Sequence, residues 1–414
     1  MRRPFHEIIT AAFFRSGPFR LQKRNVRIKG WGWLRRMQRK MIPKCWHISA
    51  ESVGENEKLD IIYRGTSVNM RYFCELAYGG GCTVTRFGFA FIYRMLMSCL
   101  IKRHGGTIFV NESNRASKGD LCRYNGFVIP EWLGGFVDLS LDLAAHVKSN
   151  AAIRSNYKRI EKKRYSYRVT RDPKWFDWFY DRMYRPYVEK RFRRATVIAS
   201  RAAAKRVFDS GELLFVDDHG RWVAGMIIGY YPDSGYPYLS KLGVLDGDRS
   251  HVSQGAISAL YYYCIKYCQQ KNLGKLAMGG TRPFLEDGVL RYKVRSWNMK
   301  IQVHLDRVFI LRIIRYGSGV RQFFLKNPFI CMQKNEPCAM VFTDCANLQN
   351  DALLNRLKKH YHLNGLSKIS IAGLPEKIPQ RRWLSMASPV HLNSSSKPLS
   401  LMPPHIGFCS LSDK

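Results

Sequence analysis

The sequence predicts an α+β protein whose sheets are mixed and mostly antiparallel, flanked by helices, and three stretches carry that expectation. Residues 212–216 and 222–231 are apolar runs joined by Asp218, His219 and Gly220, which reads as a β-hairpin, and residues 238–244 add a further strand. A helical pattern follows from Ser253, Gln254, Gly255 and Ala256 to Gln270. Further upstream, strand-like runs at 59–63 and 107–110 bracket helical and apolar segments. Hydrophobic residues make up 46% of the 414 positions and aromatics 13%, so the chain is a folded protein with room for two or three domains.

In chain order, residues 1–45 interleave basic and aromatic side chains, including Lys29, Trp31, Trp33, Arg35, Arg36 and Lys40. Leu34, Met37 and Met41 fit a short amphipathic helix. Two readings stand side by side: a segment that stacks on nucleic-acid bases or makes peripheral contact with a membrane surface, and a helix that turns its Trp and Met side inward. Residues 5–14 make a poor secretory core, interrupted as they are by His6 and Glu7. The apolar run 87–101 is read as a helix; it is too short to span a bilayer and carries Arg94. A cytoplasmic protein with no transmembrane segment is expected.

After the strand at 59–63, residues 72–76 read as a second strand-like segment. Gly79, Gly80 and Gly81 lack the spacing of a phosphate-binding loop and read as a turn. Residues 127–132, followed by Gly134 and Gly135, close this first part. From Ser140 a helical run places Leu141, Leu143, Val147, Ile153, Tyr157 and Ile160 among basic residues, with Arg154, Lys158 and Lys162 on one face. Residues 165–170 alternate as a strand, and Asp172 and Pro173 open a helix over 175–190 rich in core-forming rings. At the 253–256 helix start, free N–H groups and the helix dipole offer an anion site around Gln254 and Gly255. Past residue 300, a strand at 338–342, a helix at 348–361 and a strand at 367–372 are expected, and from about 375 a Pro- and Ser-rich basic tail cannot bury enough to fold alone.

Eleven cysteines are scattered without a C-x-x-C pair, so neither a disulfide framework nor a metal site is expected; they read as buried thiols of a reducing compartment. Lys and Arg number 68 against 31 Asp and Glu, a formal net charge of +37, which favours polyanionic partners.

The most unusual stretch is 279–293. Gly279 and Gly280 end a strand and let the backbone approach a ligand, Pro283 stiffens the residues after it, and Asp287-Gly288 reads as a turn that sets Arg291, Tyr292 and Lys293 beside it. Cationic donors so placed make an anion or oxyanion site, or else the basic face of an ordinary turn.

Residues from about 150 to 300 resemble the FemAB-like branch of the GNAT acyltransferase superfamily, which carries Gly-Gly-(Ser/Thr)-(Arg/Lys)-Pro-Phe, then Asp-Gly and a Tyr/Phe-Lys pair. The chain matches at Gly279, Gly280, Thr281, Arg282, Pro283, Phe284, Asp287, Gly288, Tyr292 and Lys293. It departs where the family tends to have Lys-Trp-Gly: here Arg295, Ser296, Trp297 and Asn298 stand, with an extra residue and no glycine. The resemblance implies a GNAT-like fold, in two lobes as in FemAB-like proteins. Its divisions would be a basic first lobe over 1–138, an acyltransferase domain over 139–375 and a flexible tail over 376–414.

It further implies an acyl- or aminoacyltransferase that moves an acyl group from an acidic activated donor to an amine. Aminoacyl-tRNA, an acyl-carrier protein and acyl-CoA all remain open as donor, and no tightly bound cofactor is expected. Lys293 would stabilise the oxyanion, Tyr292 would orient it and Asp287 would accept a proton. Gly279, Gly280, Arg282, Phe284, Arg291, Gln254, Gly255, Arg154, Arg159 and Tyr184 would bind donor or substrate. An acetyl-CoA-dependent N-acetyltransferase and a non-catalytic, basic polyanion-binding protein on the same fold are the alternatives.

Overall fold

The computed structural model describes residues 44–50, 58–79, 81–87, 106–114, 126–192, 198–333, 336–376 and 408–409. The basic segment before Lys44, the apolar run 87–101 beyond Phe87, Gly80 and nearly all of the tail from 377 lie outside these residues.

The first sheet uses β1 (Lys44–Ala50), β2 (Leu59–Gly65), β3 (Cys82–Phe87), β4 (Gly106–Asn114) and β5 (Phe127–Pro130). Between β2 and β3 runs α1 (Ser67–Tyr78), which takes in the 72–76 segment expected as a strand. Two local features decide for helix there. Thr66 caps the first turn by accepting from Asn69 N, and Met70, Phe73 and Cys74 recur at helical spacing to give one buried face.

The second sheet begins with β6 (Leu133–Asp138). The expected helical run from Ser140 is two helices, α2 (Leu143–Ser149) and α3 (Ala151–Lys163). They break at Asn150, which closes one and caps the other through Ala152 N and Ile153 N. Next come β7 (Ser166–Thr170) and α4 (Lys174–Phe179), which passes through a π-helical turn, Tyr180–Tyr184, into α5 (Arg185–Phe192). After α6 (Arg201–Asp209) the chain makes the meander β8 (Glu212–Asp218), β9 (Arg221–Tyr230) and β10 (Pro237–Val244). Leu213 to Val216 and Val223 to Ile228 are buried without alternation, because helices cover both faces of these strands.

The short α7 (Arg249–Ser253) leads to α8 (Ala256–Gln270), and β11 (Lys275–Ala277) then pairs in parallel with β10. A meander followed by a helix is the layout expected of a GNAT core, and here a parallel strand comes after them. The sheet order is β12-β6-β11-β10-β9-β8-β7, antiparallel apart from β10 and β11.

After α9 (Gly288–Trp297) and β12 (Lys300–Val303), strand β13 (Arg307–Arg315) inserts between β4 and β5, completing the first sheet as β3-β1-β2-β4-β13-β5. Segments from both sides of residue 138 therefore share both sheets: β13 enters the first, and β6 pairs with β11 and β12 in the second. The third sheet, β14 (Phe329–Gln333), β15 (Glu336–Asp344), β16 (Lys368–Leu374) and β17 (Phe408–Cys409), follows α10 (Ser318–Lys326) and includes α11 (Asp351–Tyr361) in its connection. Its Phe329 and Phe342 join Phe73, Phe284, Phe309 and Phe324 in one aromatic core with the first sheet. Among the described residues no helix is long and apolar enough to cross a membrane.

Candidate functional site

Strands β10 and β11 pair at a single register position, Tyr238 with Ala277, and then part. Just past that point the register between β10 and β9 slips, setting Ser240 and Lys241 opposite the one residue Ile227, a β-bulge. Gly279 lies at the mouth of the gap with φ 70°. A Cβ there would come 2.7 Å from the Leu239 carbonyl oxygen, so the close approach of the two chains requires glycine.

Lys293 reaches this point from α9. Its ammonium donates to the carbonyl oxygens of Gly279 at 3.3 Å and Gly280 at 3.2 Å, and the residue is 5% exposed. Burial pulls its pKa down from 10.5 to about 8, with Asp287 pulling the other way.

Asp287 does not form a free turn. It is the N-cap of α9, its carboxylate accepting from Val289 N at 2.9 Å and Leu290 N at 2.8 Å, which is why Arg291, Tyr292 and Lys293 are helical. Burial pushes its carboxyl above the ordinary value, against the two amides, Lys293 and Arg282.

Tyr292, next to Lys293 on the helix, faces elsewhere: its hydroxyl meets Ser258 Oγ at 2.9 Å, and its ring packs edge-on to Tyr261. That contact brings α9 against the first turn of α8, so the helix start expected as an anion site and the helix carrying Lys293 are neighbours. At that start Gly255 has φ 93°, and a Cβ on it would sit 3.3 Å from Arg159 Cβ, so α3 closes in on the same helix end. Arg159 is exposed and bonds Asn156 Oδ1 at 3.2 Å; Arg154, one turn back, is exposed too. Gln254 is half-buried beside them.

The remaining expected residues take other places. Arg282 is 7% exposed, its guanidinium held between the rings of Tyr72 at 4.3 Å and Trp132 at 3.9 Å. Phe284 is buried among Tyr72, Phe73 and Phe329, a core position. Arg291 pairs with Glu286 and approaches His360. Tyr184 is buried and its hydroxyl accepts from Ala199 N at 2.9 Å. A cavity of about 580 Å³ lined by Lys190, Asp246, Gly247, Asp248 and Arg249 lies at the link from β10 to α7, and neither Lys293 nor the glycine pair lines it.

Two further residues also belong here. Lys241, on the bulge, is half-buried and its pKa is lowered by burial. Only strand register reveals it, because in sequence it is one basic residue of an ordinary apolar strand. Asn298, at the family departure, has φ 52° and closes α9 in the left-handed conformation. Asparagine tolerates that conformation better than other non-glycine residues.

No protein-family model matches the chain, and no curated protein matches it in sequence. Solved structures similar to it include L-PGS from Bacillus licheniformis, 13% identical with a TM-score of 0.30 over 57% of this chain and 65% of that one. A GCN5-related N-acetyltransferase from Sphaerobacter thermophilus is 10% identical, with a TM-score of 0.28 over 66% of this chain and 78% of that one. A tandem GNAT protein from the clavulanic acid biosynthesis pathway is 12% identical, with a TM-score of 0.28 over 54% and 68% respectively.

Proposed function

We propose that the chain is an acyltransferase of the GNAT type, FemAB-like in its site, that moves an acyl group from an activated ester or thioester on a polyanionic donor to an amine. The observation that carries this reading is Lys293: a buried ammonium, held by two backbone carbonyls at the point where β10 and β11 part. An ammonium has three N–H groups and two are used, leaving one for an oxygen in the gap.

In the reaction the acceptor's amine nitrogen bonds to the acyl carbon, and the carbonyl oxygen takes the negative charge that Lys293 stabilises. Collapse of the intermediate expels the ester oxygen or thioester sulfur, which takes up the proton the amine gives away. The α8 start, with Gly255 against Arg159 and with Arg154 nearby, serves the donor's anionic groups. The net charge of +37 draws such a donor in at long range.

Turnover of radiolabelled aminoacyl-tRNA, acyl-carrier protein and acyl-CoA, each offered with a panel of amines, tests the reading. Transfer from one donor, with affinity that falls steeply as salt rises from about 50 to 200 mM, is expected. Tight binding of a polyanion with no transfer from any donor would leave the non-catalytic binding protein as the better description.

A further inference from the structure

The glycine pair that holds Lys293 is tied, two residues on, to a buried polar network that belongs mainly to the first sheet. At its centre is Asn69 of α1, 2% exposed, with both amide N–H groups and the amide oxygen bonded. Its Nδ2 donates to Glu112 Oε1 and to Glu131 Oε1, both at 2.9 Å, and its Oδ1 accepts from the Arg282 guanidinium at 2.8 Å. Glu112 also accepts from Tyr63, Thr66 N and Thr66 Oγ1, and Glu131 from Trp132 Nε1. Arg307 reaches both carboxylates, so two acids and two arginines balance.

We infer that Asn69 is a positioning residue for Lys293, acting through Arg282 to fix where the Gly279 and Gly280 carbonyls hold the ammonium. The inference rests on the proposed oxyanion role of Lys293. Three of the contacts along Gly280, Thr281 and Arg282 bear on the path of the loop. The Trp132 ring lies 3.3 Å from where a Gly280 Cβ would be, Thr281 exchanges backbone bonds with Leu133 at 2.9 Å each way, and Arg282 bonds Asn69. The first two come from one short segment, residues 132–133. The third ties the loop to a separate element, the helix α1, where the Tyr72 ring stacks on the same guanidinium and Asn69 gives it a directional hydrogen bond.

A primary amide suits this position. Two carboxylates need donors and a guanidinium needs an acceptor within one side chain's reach, and the amide supplies both. Aspartate would set a third acceptor against Glu112 and Glu131; alanine would leave Arg282 held by its ring contacts and by the Glu131 carbonyl at 3.3 Å.

The test follows the Lys293 side chain by NMR in the full chain carrying 13C-labelled lysine, with the resonance assigned by its loss in Lys293→Arg. Asp287 is the charged neighbour that bears on this titration, and it is unchanged in the variants. Asn69→Ala is expected to move the Lys293 midpoint by about half a unit or more and to lower kcat by about tenfold, with KM for donor little changed. Where Asn69→Ala does not fold, Arg282→Lys carries the test, since it keeps the charge and loses the planar fork. A wild-type Lys293 titration in the folded variant overturns the role of Asn69, whether or not the protein transfers acyl groups. A shifted titration in a protein that is inactive against every donor upholds the coupling and removes its catalytic meaning.

Discussion

Lys293 and Glu212 are both buried charges of the second sheet's unit, 5% and 3% exposed, and they are treated in opposite ways. Glu212 is saturated: one oxygen accepts from Arg171 at 2.9 Å and Lys271 at 3.0 Å, the other from the hydroxyls of Tyr230 and Tyr267 at 2.8 Å each. Burial alone would raise its pKa, but the bonds from Lys271, Tyr267 and Tyr230 outweigh it and hold the carboxyl below its ordinary value. Lys293 has two long bonds to neutral carbonyls, and burial wins. A buried charge given all its partners is a fastener; one given few is poised to respond to whatever enters beside it.

The sharpest way to break that contrast is to remove Lys293. Lys293→Ala is expected to lower kcat by on the order of a hundredfold or more while donor binding stays nearly intact, and Lys293→Arg to rescue poorly, since a planar fork does not replace a point charge. Lys293→Met should lose the same activity yet raise stability by roughly 1 to 3 kcal/mol in urea melts, because a costly buried charge is gone. Full turnover by Lys293→Ala would end the assignment.

The two groups also predict opposite responses to pH. Lys293 titrates near 8 when folded and near 10.5 when unfolded, so between those values the unfolded chain binds more protons and stability rises with pH, by an upper estimate of roughly 3 kcal/mol. Over the same range kcat should fall, as the ammonium that stabilises the oxyanion is lost. Glu212, with a depressed folded pKa, contributes stability that is present at neutral pH and lost on acidification through the carboxylate range. Urea melts and donor-saturated rates between pH 4 and 10, on the order of one unit apart, read both signs. A kcat that climbs through pH 8 would instead make the neutral amine the working form.

Glu212→Ala is the matching experiment on the saturated side. It strips two tyrosines and two cations of a shared acceptor, and a loss of about 2 kcal/mol is expected, tempered because the Arg171 and Lys271 side chains are 70% and 38% exposed and can rehydrate. Activity per folded molecule should hold. Loss of rate without loss of stability would place Glu212 in the working site rather than the scaffold.

How far the sequence is legible depends on the range of the interactions. The meander and α8 are legible because their apolar runs and turn residues are local. Residues 72–76 are not, since their helix depends on the Thr66 cap and on Met70 and Phe73 facing a core built by Phe309 and Phe284, more than two hundred residues away in the chain. The glycine pair and Lys293 stand out by motif. Asn69, Glu112 and Glu131 carry no motif or spacing that links them, being polar residues far apart in the chain that the packing of α1 against the 282 loop brings together. Asp287 shows as a turn residue, and its actual duty as a helix cap differs by a single question: whether Val289 and Leu290 continue as helix.

The smallest expected effect concerns Asn298, the point where the chain leaves the family pattern. Its φ of 52° is left-handed, and its N–H closes α9 on the Lys293 carbonyl, so whatever residue stands there shapes the end of the helix that carries the lysine. Asn298→Gly keeps that conformation open, at the cost of a more flexible unfolded chain, and should change stability by no more than about half a kcal/mol and rate by less than about twofold. Asn298→Val puts a β-branched side chain where φ is positive and should cost about 1 to 2 kcal/mol. Its rate at saturating donor should fall only if the strain moves the last turn of α9, which a changed Lys293 NMR shift would reveal. If valine is tolerated with neither effect, the left-handed cap is dispensable, and the departure from glycine says nothing about the lysine one turn before it.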